Sequence, residues 1–110
     1  MTGREERNLQ YDRPIGPGSV IRVRLEIERG DVIAFTEQLE CYVDGRWRPV
    51  VRYDSAHGHP HRDTLDWDGH VIDTFWLNPT MGFKEIIRQV EADLADNVDA
   101  YRTAFLERKP

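Results

Sequence analysis

The chain has 110 residues, of which 39% are hydrophobic and 32% charged, and its formal net charge is −5. This size suits one domain of about 100 to 150 residues, and the apolar content excludes general disorder. The net negative charge disfavours nonspecific binding to nucleic acid. A single cysteine, Cys41, excludes an internal disulfide and a cysteine-based zinc site, and the lack of a long apolar segment favours a cytoplasmic protein that does not contact a membrane.

The first part of the chain, residues 1–18, mixes charges with prolines and glycines and shows neither helical nor strand periodicity. We predict a flexible N-terminal arm that ends in a turn. Residues 19–110 are then expected to form a single α+β domain.

Alternating apolar and polar residues predict five strands in the first two thirds of that domain. They cover residues 19–29, 32–43, 46–54, 61–67 and about 70–77. Tight turns at Gly30-Asp31, Asp44-Gly45 and Asp68-Gly69 predict an antiparallel meander. The last strand has apolar residues on both parities, so both of its faces are expected to be partly covered.

Glu37 is a misfit in the second predicted strand, because it falls on the inward parity of Phe35 and Leu39. A β-bulge at residues 36–38 that re-aims its side chain is the interpretation we favour. The alternative is that Glu37 lies at an open end of the sheet. Cys41 shares the inward parity and is predicted to be a core residue.

A long C-terminal helix is the most regular element of the pattern. Asn78 or Thr80 is predicted to cap it, and it should reach about Glu107. Its apolar stripe recurs every three or four residues: Phe83, Ile87, Val90, Leu94, Val98, Tyr101 and Phe105. This helix should pack across one face of the five-strand meander. Its far end, residues 101–105, is expected to contact either a second copy, which would form a homodimer, or a different partner.

Arginines concentrate on the third predicted strand and the loop after it. Residues 46–62 contain four arginines and one aspartate, so an anionic ligand should approach here. The period of two puts Arg48 and Arg52 on one face about 13 Å apart, which fits separate phosphates of RNA, with Tyr53 or Trp67 available for base stacking. Alternatively, both arginines pair with carboxylates on neighbouring strands, for example Glu40.

Histidines in the same segment suggest proton transfer. His57 and His61 have the chemistry of an acid and base for RNA cleavage without a cofactor, with Arg52 or Arg62 stabilising the charged phosphorane. An imidazole near its reference pKa of about 6.5 serves either role at neutral pH. The alternative is that these histidines have only surface or packing roles.

A metal site is a further alternative for the histidine-rich loop. In an extended chain, His57, His59 and His61 would point the same way, and Asp54 or Asp63 would complete a set of ligands for zinc or another divalent ion. Asp54 could equally orient the imidazole of His57.

The motif Arg52-Tyr53-Asp54, followed by His57 and by His61-Arg62, resembles small prokaryotic proteins of unknown role and, more distantly, the TumE-type toxins of toxin-antitoxin pairs. The likeness to the toxins covers about residues 46–65. It implies a growth-inhibiting ribonuclease that a separately encoded antitoxin neutralises. Its site would be formed by the residues Arg52, Asp54, His57 and His61, with Arg48, Tyr53 and Arg62 binding the substrate RNA.

A different class of function is equally compatible with this sequence. The chain would then be a non-catalytic module that binds a partner protein or a metal ion through its helix or its histidine loop. No nucleophile elbow, phosphate loop or dinucleotide fingerprint is present, so those enzyme classes are excluded.

Overall fold

The structure, a computed structural model, describes residues 6–55 and 59–110. One antiparallel sheet contains six strands in chain order: β1 (Glu6–Pro14), β2 (Ser19–Glu28), β3 (Asp31–Val43), β4 (Arg46–Asp54), β5 (His61–Leu65) and β6 (Val71–Trp76). Two helices follow, α1 (Phe83–Asp96) and α2 (Val98–Glu107). The predicted α+β class and antiparallel meander are confirmed, whereas the predicted five strands and single helix are wrong in number.

The unpredicted strand is β1, which lies within the segment expected to be a flexible arm. It pairs antiparallel with β2 from Glu6 opposite Glu28 to Pro14 opposite Val20. All of its residues are exposed. Backbone pairing at a sheet edge needs no buried side chains, and the two alternating apolar residues of β1, Leu9 and Tyr11, are too few to indicate a strand.

The predicted single helix is divided at Asn97, whose backbone (φ −114°, ψ 16°) is not helical. Its side-chain amide donates to Asp93 Oδ1 at 2.8 Å. The Asn97 N–H still donates to the Asp93 carbonyl at 2.9 Å, so the break is a change of backbone angles at one residue. At the other end, Asn78 Oδ1 accepts from the Thr80 N–H at 3.0 Å in a turn, and α1 begins only at Phe83.

The helices cover one face of the sheet, named here the helix face; the other is the open face. α1 packs on β3 and α2 packs on β4. The buried core cluster consists of Ile21, Val23, Phe35, Leu39, Cys41, Val43, Val50, Val51, Tyr53, Trp67, Ile86, Val90, Leu94 and Phe105. The core position predicted for Cys41 is therefore confirmed, and the middle of the sheet, not its edges, carries the helices.

Phe105 belongs to this core instead of a dimer contact. Its ring stacks on Trp67 with centroids 5.0 Å apart and an interplanar angle of 7°. The Trp67 indole N–H also donates to the Phe105 carbonyl at 2.7 Å. The apolar end of the helical stripe that we expected to reach a second copy is thus used within the chain.

Glu37 remains on the helix face and is fully buried, so the bulge predicted at residues 36–38 is wrong. It lies opposite Val23 and Tyr53 in regular register. Neither carboxylate oxygen has a hydrogen-bond partner among the described residues. Burial, and secondarily repulsion from Glu91, raise the pKa of Glu37 to about 8, against the opposing effect of Arg13. The side chain is therefore protonated at neutral pH.

A bulge does occur in β4, at Val50. Leu39 lies opposite Val51 and Glu40 opposite Pro49, which leaves Val50 as the extra residue. Both valines are buried. An extra residue reverses the parity of everything before it, so the side chains on the two halves of β4 no longer alternate in one continuous pattern.

Candidate functional site

The β4 bulge separates the two arginines that were predicted to share a face. Arg52 lies opposite Gln38 on the open face, whereas Arg48 lies opposite buried Cys41 on the helix face. The guanidinium of Arg48 is 4.6 Å from the ring centroid of Trp67, and its Nε donates to the Val43 carbonyl at 3.1 Å. The predicted pair of phosphate contacts on one surface is therefore wrong.

Arg52 belongs to a chain of polar contacts on the open face. Its Nε donates to Gln38 Oε1 at 2.8 Å, and Gln38 Nε2 donates to Glu40 Oε2 at 2.7 Å. Arg22 continues the chain, with Nε 3.1 Å from Glu40 and Nη1 2.6 Å from Asp12. Arg52 thus reaches Glu40 through an amide, which is close to the ion-pairing alternative considered from the sequence.

Arg52, Asp54 and His61 all lie on the open face of the β4–β5 pair. Arg52 is opposite Asp63 and Asp54 is opposite His61. This part of the predicted catalytic group is brought together. His57, its fourth member, lies outside the described residues.

His61 has both ring nitrogens engaged within the chain. Nδ1 donates to the His59 carbonyl at 2.9 Å, and Nε2 lies 3.3 Å from Asp63 Oδ2. Its ring packs beside Trp76 with centroids 5.1 Å apart, and its side chain is only 13% exposed. Thr74 donates to the second carboxylate oxygen of Asp63 at 2.8 Å. His61 is a positioned residue, but neither of its nitrogens faces open solvent as a free acid or base.

The remaining predicted substrate-binding residues lie on the helix face. The hydroxyl of buried Tyr53 donates to Asp93 Oδ2 at 2.7 Å. Arg62 Nη1 donates to the Tyr101 hydroxyl at 3.4 Å, and its guanidinium lies 5.1 Å from the ring centroid of Phe75. Neither Tyr53 nor buried Trp67 can stack on a base at the open face.

The histidine-based metal site has limited support in this arrangement. His61 already contacts Asp63, His59 is exposed and His57 lies outside the described residues. Within residues 6–55 and 59–110, three neighbouring candidate ligands occur in the β5–β6 turn: Asp66, Asp68 and His70. Asp66 Oδ1 there accepts the N–H groups of Asp68 and His70, each at 2.9 Å, so these contacts shape the turn.

Strand β6 forms the edge of the sheet, and sequence reasoning did not identify it as a functional surface. All six of its residues are exposed, although both faces were predicted to be partly covered. Its large apolar side chains are half or more exposed: Val71 50%, Ile72 50%, Phe75 54% and Trp76 62%. The apolar residues on both parities of this strand were the available signal.

The backbone of β6 also presents unused hydrogen-bonding groups. Leu77 donates its N–H to the Pro60 carbonyl across the hairpin at 3.0 Å. Successive N–H groups along a strand point to opposite sides, so the N–H groups of Thr74 and Trp76 point away from β5. A further strand would find donors and acceptors at this edge.

A groove of about 390 Å³ lies between β6 and α1. Its walls are mostly apolar, and Tyr53, Asn78, Gln89 and Asp93 supply its polar groups. Asp93 lies on α1 beside the groove and accepts the Tyr53 hydrogen bond described above. The groove adjoins the exposed edge, so one ligand can contact both.

The chain belongs to the family described as Domain of unknown function (DUF7718), whose model matches residues 2–110. No curated protein and no solved structure matches the chain at a significant level. The family agrees with the expected group of unknown role, but these comparisons show no likeness to TumE-type toxins. No helix in the described part of the chain has both the length and the hydropathy needed to cross a bilayer.

Proposed function

We propose that this member of the DUF7718 family is a protein-binding module whose edge strand β6 pairs with an extended segment of a partner. The observation that carries the proposal is the complete exposure of β6, including four large apolar side chains, at an open sheet edge. Adding a strand to such an edge is a common mode of peptide recognition, in which backbone hydrogen bonds give affinity and side-chain contacts give specificity.

A contrast between the two edges of the sheet supports this assignment. β1 carries Glu6, Arg7, Asp12 and Arg13 and ends at Pro14, which are features that protect an edge from pairing. β6 contains neither lysine nor proline and has one charged residue, Asp73. Covering a half-exposed apolar side chain contributes on the order of 1 kcal/mol. The unprotected edge is therefore the one suited to a partner.

The charge around β6 favours a partner segment that is apolar and basic. Asp66 and Asp68 lie in the adjoining turn and Asp73 lies in the strand, while the whole chain has a net charge of −5. A second copy paired through β6 would bring these carboxylates towards their own counterparts. Complementary charge would instead accelerate association and align a basic segment.

Peptide selection on the full chain tests this proposal. Linear peptides from a displayed library are selected against the wild type and then titrated against two variants. Thr74→Pro removes an N–H that points away from β5, whereas Thr74→Ala removes the same side chain and keeps that N–H. Selected peptides should bind wild type and Thr74→Ala, and Thr74→Pro should weaken binding at least about tenfold. Equal binding to Thr74→Pro would reject edge pairing.

A second candidate is a metal-independent ribonuclease that acts as the toxin of a toxin-antitoxin pair. The shared open face of Arg52, Asp54 and His61 favours it. Under this proposal the full chain cleaves single-stranded RNA and stops bacterial growth, and both effects disappear in Arg52→Ala and His57→Ala. Arg48→Ala, on the opposite face, retains them. Intact RNA with the wild type, or cleavage unchanged in Arg52→Ala, would reject this candidate.

A further inference from the structure

We propose that the groove between β6 and α1 binds a cationic side chain, lysine or arginine, with Asp93 as its counter-ion. The inference rests on the proposed function for the source of that side chain, which is the partner segment paired with β6. The chemistry of the groove itself can be measured without any partner.

Asp93 is surrounded by neutral hydrogen-bond donors. Tyr53 and Tyr101 both donate their hydroxyls to Oδ2, and Asn97 Nδ2 donates to Oδ1 at 2.8 Å. None of the ion pairs among the described residues includes Asp93. Three neutral donors satisfy the oxygens of this carboxylate without cancelling its charge. A positive group is therefore the missing partner.

The two tyrosines are fixed as donors to this carboxylate. Burial first, and hydrogen bonding to Asp93 second, raise the pKa of Tyr53 and that of Tyr101. Both hydroxyls therefore keep their protons at physiological pH. Arg62, the cation next to this cluster, interacts with the Tyr53 and Tyr101 hydroxyls, the latter at 3.4 Å, and forms no ion pair with Asp93.

The rest of the groove suits the aliphatic part of a long basic side chain. Its apolar lining consists of Phe75, Trp76, Leu77, Met81, Ile86 and Val90. Lysine and arginine bury their methylene stems against such surfaces while the charged head reaches a polar group. The half-exposed Phe75 ring, which shares the helix face with Arg62 and already attracts its guanidinium, adds an aromatic face to which a cation is attracted.

Other classes of side chain fit the groove less well. A carboxylate or phosphate entering it would be repelled by Asp93. A purely apolar side chain would remove water from an ionised carboxylate and supply no counter-charge, which costs free energy. A cation both fills the space and neutralises the carboxylate.

Small probes test the inference on the full chain. We would titrate it with n-butylammonium, N-butylguanidinium and neutral pentan-1-ol, following the NMR signals of the Phe75 ring and the Ile86 and Val90 methyl groups. The two cations should bind about tenfold more tightly than the alcohol, since hydrogen bonds to charged groups are stronger than those between neutral groups. Equal affinity for the alcohol, or shifts at other sites only, would overturn the proposal.

Two variants assign the effect to Asp93. Asp93→Asn should remove the preference for cations. Gln89→Lys places an ammonium four residues before Asp93 on the same helix and should block the cationic probes even if Asp93→Asn loosens the fold. Ala92→Lys, at an exposed α1 position outside the groove, adds the same charge as a control and should keep probe binding. Cation binding unchanged in Gln89→Lys would contradict the assignment.

The probe experiment also separates this inference from edge pairing. Thr74→Pro should weaken the selected peptides and leave n-butylammonium binding unchanged. The cation site alone would be overturned by two results together. The peptides would bind through β6 without any preference for a basic residue, and the affinity of the probes would not depend on Asp93. Probe binding to Asp93 in a chain that no extended peptide pairs with would support the cation site and reject its assigned partner.

Discussion

Tyr53 on β4 donates a 2.7 Å hydrogen bond to Asp93 on α1 and so joins the sheet to the helix beside the groove. Tyr53 is buried, and Asp93 also receives the hydroxyl of Tyr101 on α2. One carboxylate therefore connects three elements and is also the charged group of the groove. The position of α1 relative to β6, which defines the groove, depends on this contact.

Replacing Tyr53 should therefore weaken the fold more than replacing an exposed tyrosine. We expect Tyr53→Phe to lower the free energy of unfolding by about 1 to 3 kcal/mol, because Asp93 loses one buried donor. Tyr42→Phe, at a ring 47% exposed, is the control and should change it by less than about 0.5 kcal/mol. Urea denaturation of the two variants measures both values, and equal losses would argue against a structural role for the Tyr53 hydroxyl.

Buried Glu37 should make the stability of the protein fall as pH rises. Its folded-state pKa of about 8 lies above the ordinary value of 4.5, so between these pH values the unfolded state gives up a proton that the folded state retains. The free energy of unfolding should therefore fall by roughly 3 kcal/mol between pH 4.5 and pH 7. The decrease should level off above about pH 8, where Glu37 ionises in the folded state too.

The variant Glu37→Gln, which cannot ionise, isolates this effect. The free energy of unfolding of Glu37→Gln should depend less on pH than that of the wild type. From pH 5 to pH 8, the variant should therefore become more stable relative to the wild type. Glu85→Gln, at an exposed position in the first turn of α1, should follow the wild type. Parallel pH profiles for Glu37→Gln and the wild type would refute a buried, protonated Glu37.

The stacked pair of Phe105 and Trp67 should be a major source of stability for α2. Phe105 is completely buried, so Phe105→Ala should destabilise the protein by about 3 to 5 kcal/mol. The neighbouring Leu106 is 39% exposed, and Leu106→Ala should cost much less. Thermal unfolding of both variants provides the comparison. Similar losses would mean that α2 is held by its general apolar surface.

A charge placed in β6 should block partner capture without harming the fold. Ile72 and Ile33 are equally exposed, at 50%, but only Ile72 lies on the proposed binding edge. Ile72→Lys should weaken binding of the selected peptides at least about tenfold, since lysine protects edge strands from pairing. Ile33→Lys should leave affinity unchanged. Titration by fluorescence anisotropy measures both, and identical behaviour would place the contact elsewhere.

The sequence predicts the strands and helices whose side chains contact the core. It does not predict the features that depend on backbone geometry. Alternation identifies the strands of the sheet's centre, and the helical stripe correctly includes Val90, Leu94 and Phe105. The strand β1 has no buried face, and its two alternating apolar residues are too few to indicate a strand. The helix break at Asn97 is a change of backbone angles at one residue, which the apolar period does not record.

The candidate site depends on register, which the sequence specifies poorly. A single bulge residue, Val50, puts Arg48 and Arg52 on opposite faces of the sheet. Val50 and Val51 are both apolar, so the sequence does not show that one of them interrupts the alternation. The groove beside Asp93 requires that β6, α1 and Tyr53 come together over long sequence separations. The exposed apolar residues of β6 were visible in the sequence, but their exposure follows from where the helices lie.

Amide hydrogen exchange at the β6 edge tests the central proposal most directly. We would measure exchange of individual amides in the full chain, free and saturated with a selected peptide, by NMR. The N–H groups of Thr74 and Trp76, which point away from β5, should exchange rapidly in the free protein and become protected at least about tenfold in the complex. The Phe75 N–H, which points towards β5, should already be protected. Thr74 and Trp76 amides that exchange equally fast with and without bound peptide would contradict strand addition at β6.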